Sequence, residues 1–158
     1  MKFIVDSMFG KLARFLRLFG YDALYSNEFE DDEILKIAKE QNRILLTKDK
    51  ILTQRAEKNG IDTLYINKKN IAERIALIKQ KYDIKLTIIP NSRCPLCNSE
   101  IEKIEDKELI KNEVFPSTFK NFNDFWKCTN CSKIYYIGEH WKKFEDLLKE
   151  VYQNMKDI

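Results

Sequence analysis

The chain has 158 residues, of which 44% are apolar and 34% charged, enough to bury one core as a single domain or a domain with a small appendix. It contains neither an apolar run that could span a bilayer nor a basic-then-apolar leader, so we expect a cytoplasmic protein rather than a membrane or exported one. The net charge is +3, but residues 1–93 hold 18 Lys and Arg against 13 Asp and Glu, and residues 94–158 hold 10 against 12. The first part is therefore the better candidate to meet a polyanion.

The first 85 residues alternate short apolar runs with amphipathic segments. The predicted strands are "KFIVD", "YDALYS", "RILL" and "IDTLYI", and the predicted helices cover residues 7–20, 31–42, 48–59 and 68–82. In the first helix an apolar stripe is predicted from Met8, Leu12, Phe15 and Phe19. Strands that alternate with helices predict an α/β fold with a mainly parallel sheet.

The pattern changes after residue 85. Residues 86–140 show no clear helical period, and a last helix is predicted near 141–155. The single histidine, His140, has no second histidine with which to bind a metal. It is interpreted as a helix-start or packing residue beside Trp141, with a phosphate contact or an outer-shell role as the alternatives.

All four cysteines lie in this second part, as two Cys-x-x-Cys pairs: Cys94 with Cys97, and Cys128 with Cys131. Each pair can form a tight turn that directs two thiolates at one ion, and two such turns complete a tetrahedral site. In a reducing compartment this spacing favours structural zinc in a zinc ribbon over disulfides. A redox dithiol or buried thiols are the alternatives.

Acidic residues gather where predicted elements begin or end. Asp6 ends the first strand, Asp49 follows the third strand, and Asp31 with Asp32 begins the second helix. Because ligands of a parallel α/β sheet bind at the carboxyl ends of its strands, we expect these acids at one rim. Clustered carboxylates there suit Mg²⁺ or Mn²⁺, which activates water and stabilises a phosphodiester transition state. Each acid also has an alternative role, since acids in such positions commonly cap a helix or face its dipole.

Basic residues accompany the acids. Lys11, Arg14 and Arg17 are predicted on one flank of the first helix, which begins just after Asp6. An ordinary solvated face is one interpretation, and contact with the phosphates of a nucleic-acid backbone is the other. Lys48, which precedes Asp49 in "LLTKD", is also predicted to contact the nucleic acid.

The stretches "FIVDSMFGKLARFLRLFGYDALY", "DDEILKIAKEQNRILLTKDKIL", "RCPLC" and "CTNCSKIYYIGEHW" together resemble the Mut-seven C-terminal RNase domain, a PIN-like nuclease unit with a zinc ribbon. The resemblance covers almost the whole chain. It implies a PIN-like domain at 1–85, a four-cysteine zinc ribbon with a C-terminal helix at 86–158, and Mg²⁺- or Mn²⁺-dependent cleavage of RNA. By this resemblance the catalytic acids are Asp6, Asp49 and Asp31, with Asp32 as a competitor of Asp31.

The chain departs from the PIN pattern in one respect. Many PIN nucleases carry a glutamate on an intervening helix, but residues 26–31 are too few for that helix, and Glu28 and Glu30 are the nearest substitutes. We therefore keep two functions open: a metal-dependent ribonuclease, and an RNA- or ribosome-associated binding factor with little activity. A phosphate-accepting receiver domain fits less well, because its acids pair at the first strand. The expected partner is RNA, with ribosomal RNA and tRNA as candidates, and the sequence indicates no particular oligomeric state.

Overall fold

The first part of the chain alternates strands with helices, as predicted. The computed structural model describes residues 1–88 and 91–156, and Trp141 by its backbone alone; residues 89, 90, 157 and 158 of the predicted second domain lie outside the described residues. The elements are β1 (Lys2–Val5), α1 (Gly10–Leu18), β2 (Asp22–Tyr25), α2 (Asp31–Glu40), β3 (Ile44–Thr47), α3 (Lys50–Lys58), β4 (Thr63–Tyr65) and α4 (Ile71–Tyr82). A 3-10 turn over Ser7–Phe9 joins β1 to α1.

The four strands form one parallel sheet in the order β2-β1-β3-β4. Phe3 and Val5 of β1 belong to the core formed with α1 and α4, whereas Ile4 belongs to the core formed with α2 and α3. Helices thus cover both faces, which is why the strands are mostly apolar. Because all four strands run in one direction, their carboxyl ends meet at one edge. We call this the carboxyl edge, and it comprises residues 6–9, 26–30, 48–49 and 67–70.

The second part contains a small antiparallel sheet in the order β5-β6-β7, formed by β5 (Ile101–Lys103), β6 (Phe125–Cys128) and β7 (Ile134–Tyr136). A 3-10 turn at Lys107–Ile110 and α5 (Pro116–Asn121) lie between β5 and β6. The sequence showed no helical period here because α5 has only six residues, too few to display one. We call residues 91–136 the cysteine segment.

The last element of the described residues is α6 (His140–Lys156), close to the predicted last helix. This helix packs on α4, and the Phe144 ring lies 6.2 Å from the Phe15 ring and 5.6 Å from the Phe19 ring. Val151 is fully buried in the same core. The predicted mixed α/β fold with a mainly parallel sheet and a C-terminal helix is confirmed, whereas the division at residue 85 stays a prediction. Within the described part of the chain, every helix is too short or too polar to cross a bilayer.

Two side chains near the first helix lie elsewhere than predicted. Met8 is 57% exposed, so its place in the apolar stripe was wrong; the 3-10 turn changes the rotation of the chain and buries Phe9 instead. Arg17 was predicted on an exposed basic flank, but it is only 5% exposed. The start of the cysteine segment packs over this side of α1, where the hydroxyl of Ser92 donates to the Leu18 carbonyl.

Candidate active site and metal centre

Asp6 places a buried carboxylate at the carboxyl edge, with only 7% of the residue exposed. Its Oδ2 accepts a hydrogen bond of 2.7 Å from the Thr47 hydroxyl, and its Oδ1 accepts one of 3.2 Å from the Ser7 hydroxyl. Asp6 occupies the N-cap position of the turn that follows, but its carboxylate makes no capping hydrogen bond there. Among residues 1–88 and 91–156 it has no cationic partner. A buried carboxylate usually pairs with a cation or coordinates a metal, so Asp6 is a candidate ligand.

Asp49 lies beside Asp6, because β1 and β3 are neighbours in the sheet. Asp49 caps the start of α3, which was the alternative role predicted for it. Its Oδ1 accepts hydrogen bonds from the N–H groups of Ile51 and Leu52 at 2.7 and 2.9 Å. Its Oδ2 has no hydrogen-bond partner in the described part of the chain, so one oxygen stays available to a ligand.

Thr47 connects these two acids. Its hydroxyl donates to Asp6 and accepts a hydrogen bond of 2.9 Å from the backbone N–H of Asp49. The side chain is fully buried, so the connection is shielded from water. Sequence reasoning missed Thr47, although a threonine between an apolar strand and an acid in "LLTKD" was a signal that could have identified it.

Asp31 and Asp32 begin α2, and the structure distinguishes them. Asp31 follows the N-cap position rather than occupying it, so its predicted capping role is not seen. Burial first, and then the negative charges of Asp49 and Asp6, raise the pKa of Asp31, although the Arg55 guanidinium opposes them. Both acids form an ion pair with Arg55, but the side chain of Asp32 is 87% exposed and that of Asp31 is 54% exposed. Asp31 is therefore better placed than Asp32 to act together with the other two acids.

The three acids share an edge without forming a closed ligand set. Among the described residues, the group of three or more ligand-type side chains whose ligand atoms all lie within 4.8 Å is the set of four cysteines. Unneutralised carboxylates repel one another, and Mg²⁺ typically keeps several waters and binds one or two carboxylates. The carboxylates at the edge therefore fit a divalent cation that keeps several water ligands, rather than one that is coordinated entirely by protein side chains. Glu28 and Glu30, the nearest substitutes for the absent PIN glutamate, are exposed in the segment before α2.

The predicted basic residues divide into two groups. Lys11, Arg14 and Lys48 are exposed, and in residues 1–88 and 91–156 none of them pairs with an acid. Lys48 lies directly between Thr47 and Asp49 at the carboxyl edge. These three side chains are available to a polyanion.

Arg17 has a different position. Its Nε donates to the Ala23 carbonyl at 2.9 Å, and its Nη1 donates to the carbonyls of Pro95 and Leu96 at 2.9 and 3.2 Å. Pro95 and Leu96 are the two residues between the first pair of cysteines. The guanidinium thus joins α1 to that turn, and because Arg17 is only 5% exposed we leave it out of the basic surface proposed below.

The four cysteines could hold a zinc ion. The Sγ atoms of Cys94 and Cys131 are 3.6 Å apart, and those of Cys97 and Cys128 are 3.4 Å apart. All four ligand atoms lie within 4.8 Å of one another. A tetrahedral zinc with Zn–S bonds of about 2.3 Å would separate its sulfurs by roughly 3.8 Å, so the observed spacing fits.

Hydrogen bonds to the sulfurs also fit a thiolate site. The backbone N–H groups of Asn130 and Cys131 both donate to Cys128 Sγ at 3.4 Å. The backbone N–H of Ser99 is the largest of the causes that lower the pKa of the Cys97 thiol to about 5. Since the thiolate is the form that binds metal, these donors prepare the turns for a cation.

A polar network attaches the first cysteine turn to the parallel sheet. Asn98 accepts from the Ala23 N–H at 3.1 Å and donates to Asp22 at 2.7 Å. Asp22 in turn accepts two hydrogen bonds from Arg43, at 2.7 and 3.0 Å. His140 is outside this network as described; it is exposed at the start of α6, and the side chain of its expected neighbour Trp141 lies outside the described residues.

A family model described as the Mut7-C RNAse domain matches residues 1–148, a range that includes both the carboxyl edge and the four cysteines. No curated protein and no solved structure matches the chain.

Proposed function

Because the chain belongs to the Mut7-C RNAse domain family, we propose that it is a divalent-metal-dependent ribonuclease with a PIN-like nuclease domain, whose active site is the carboxyl edge. Family membership itself indicates a nuclease-type function with RNA as the substrate. The observation that carries the finer proposal is Asp6, a carboxylate that is 7% exposed and has no cationic partner among the described residues. A divalent cation would supply the missing positive charge.

The proposed ligands are Asp6, Asp31 and Asp49. When bound, Mg²⁺ or Mn²⁺ would supply water activation and stabilisation of the charge that develops on the phosphodiester. The protein holds Asp6 through the Thr47 hydroxyl, at 2.7 Å, and it holds Asp49 through two backbone N–H groups. Both carboxylates are therefore positioned before any ligand arrives. Burial and then the negative charges of Asp49 and Asp6 raise the pKa of Asp31, which agrees with a local excess of carboxylates.

The proposed RNA contacts are Lys11, Arg14 and Lys48. They are exposed and lack acidic partners within the described residues, so they can bind phosphates. The acids at the edge would otherwise repel a polyanion, and nearby cations offset that repulsion. Ribosomal RNA and tRNA are the candidate substrates to test first, and the four-cysteine centre has a structural role as a zinc ribbon.

The test is cleavage of labelled RNA by the purified chain with Mg²⁺ or Mn²⁺, comparing Asp6→Asn with Asp83→Asn. Asn keeps the size of Asp6 and removes its charge. Cleavage is expected to fall by more than about 100-fold, since changes to groups that merely support a metal ligand cost roughly 10- to 100-fold. Asp83 is a suitable control because it is 98% exposed at the end of α4 and has a φ of 47°, which Asn tolerates.

Equal cleavage by the wild type and Asp6→Asn would exclude the proposed site, once a contaminating nuclease has been excluded. No cleavage by the wild type, together with RNA binding, would support the alternative function, an RNA- or ribosome-associated binding factor.

A further inference from the structure

The segment between β4 and α4, residues 67–70 with the sequence "NKKN", forms part of the carboxyl edge beside the proposed active site. β4 pairs with β3 so that Tyr65 lies opposite Thr47, and the Ile66 N–H donates to the Thr47 carbonyl at 2.7 Å. The chain therefore leaves the sheet next to Lys48 and Asp49. Neither the sequence motifs nor the roles assigned above use this segment.

Arg74 holds the segment in place. Its Nε donates to the Lys68 carbonyl at 3.0 Å, and its Nη2 donates to the Lys69 carbonyl at 3.1 Å. The guanidinium also lies 4.6 Å from the centre of the Phe9 ring, which is 1% exposed and follows Asp6 by three residues. One side chain thus joins the segment to the turn after β1.

The start of α4 restrains the segment from its other end. The Asn70 side chain accepts from the Glu73 N–H at 2.8 Å, and the Glu73 carboxylate accepts from the Asn70 N–H at 3.2 Å. A backbone that is already ordered loses less entropy when a ligand binds to it.

The two lysine side chains of the segment are not used in the fold. Both are exposed, and neither ammonium has a hydrogen-bond or ion-pair partner in the described residues. By contrast, Lys79 and Lys81 of α4 pair with Asp83 and Asp62, respectively. Lys68 and Lys69 therefore leave two uncompensated positive charges beside a group of acids.

We propose that Lys68 and Lys69 form a further RNA-binding site, which contacts backbone phosphates on the β4 side of the active site. This inference rests on the proposed ribonuclease function, because the edge then has to accommodate a polyanion. Lys11 and Arg14 contact the strand on the α1 side, so the RNA backbone crosses the carboxyl edge between two sets of cations. Arg74 acts as a positioning residue, which fixes the backbone of the segment and leaves its lysines free for phosphate.

The test measures binding of a fluorescein-labelled oligouridylate to the full chain over a series of salt concentrations, without added divalent ions. Lys68→Ala/Lys69→Ala is expected to bind more weakly, and its slope of log affinity against log salt is expected to flatten by about 0.7 per lost phosphate contact, or about 1.4 for both. Lys39→Ala/Lys58→Ala is the matched control, because these exposed lysines lie in the last turns of α2 and α3, away from the carboxyl edge.

An affinity and a salt slope equal to those of the wild type would overturn the inference, as would equal losses in the control variant. Both variants change exposed side chains, so folding is checked simply by thermal unfolding. Cleavage with Mg²⁺ or Mn²⁺ is measured in parallel to separate the two proposals. If the wild type cleaves but the lysine variant binds normally, only this inference fails; if the wild type binds through these lysines but never cleaves, only the ribonuclease proposal fails.

Discussion

The hydroxyl of Thr47 donates a hydrogen bond of 2.7 Å to the carboxylate of Asp6, joining the ends of two neighbouring strands. The same oxygen accepts from the Asp49 N–H, so one buried hydroxyl orients two of the three proposed ligands. Precise orientation of ligands by supporting groups is a general requirement of metal sites.

Thr47→Val is expected to reduce both stability and cleavage. It leaves Oδ2 of Asp6 and the Asp49 N–H without a partner, at a cost of about 1–3 kcal/mol in the free energy of unfolding. Thr47→Ser keeps the hydroxyl and should restore cleavage. Urea unfolding and RNA cleavage measure the two effects. A valine variant that cleaves as well as the wild type would show that the hydroxyl does not position the site.

The purified protein is expected to contain about one zinc per chain, and Cys94→Ser to lose it. Arg17 and Asn98 join the first cysteine turn to α1 and β2, so loss of the ion should also increase amide hydrogen exchange in those two elements. The helices α2 and α3 cover the other face of the sheet and should stay protected. Elemental analysis and exchange mass spectrometry check this; a metal-free protein with unchanged exchange would contradict it.

Arg17→Lys is expected to lower stability while leaving RNA binding unchanged. Lysine keeps the charge, but it cannot reproduce the guanidinium geometry that reaches the carbonyls of Ala23, Pro95 and Leu96. The free energy of unfolding is expected to fall by about 1–3 kcal/mol. Arg14→Lys is the exposed control and should have little effect on stability. A weaker salt dependence of RNA binding in Arg17→Lys, at a temperature where it is folded, would instead indicate a phosphate contact.

Lys11→Ala/Arg14→Ala is expected to weaken RNA binding and to flatten its salt dependence, because both side chains are proposed to neutralise phosphates. Replacing arginine also removes the packing of its aliphatic stem, so thermal unfolding must accompany the binding measurement. If affinity and salt slope do not change, the two residues form an ordinary solvated helix face.

The carboxyl group of Asp22 is expected to make the free energy of unfolding depend on pH. Burial works against it, but the hydrogen bonds from Arg43 and Asn98 prevail and hold the pKa of Asp22 below its ordinary value of 3.8. Because the folded state binds this proton less tightly than the unfolded chain, the ionised carboxylate stabilises the fold above pH 3.8, and the contribution is lost as the pH falls through the folded-state value.

Asp22→Asn is therefore expected to be less stable than the wild type at neutral pH, and the difference should shrink below pH 3.8. Urea unfolding of both proteins across this range measures it. Because Asn98 joins Asp22 to the first cysteine turn, the metal content of both proteins is measured at each pH, which separates acid release of metal from titration of Asp22. A difference that stays constant with pH would show that Asp22 contributes through packing alone.

The sequence by itself determined the order of the helices and strands, and it identified the acids and cysteines of the two candidate sites. Four apolar runs and four amphipathic segments predicted the parallel sheet, because each residue's neighbours along the chain decide which face of a helix or strand is apolar. The same reasoning placed Asp6 and Asp49 after strands, hence at one edge. The two Cys-x-x-Cys pairs predicted the cysteine cluster, since that spacing is itself a local property.

The tertiary structure alone decided which of these groups are buried, paired or available. Arg17 is buried because residues 95 and 96, 78 and 79 positions away, approach its side of α1, and no local pattern records such an approach. Thr47 became part of the candidate site through a partner 41 residues away. Asp31 differs from Asp32 in its exposure and in the charges of Asp49 and Asp6 that act on it. Long-range packing and electrostatics depend on separations in space, which periodicity along the chain does not encode.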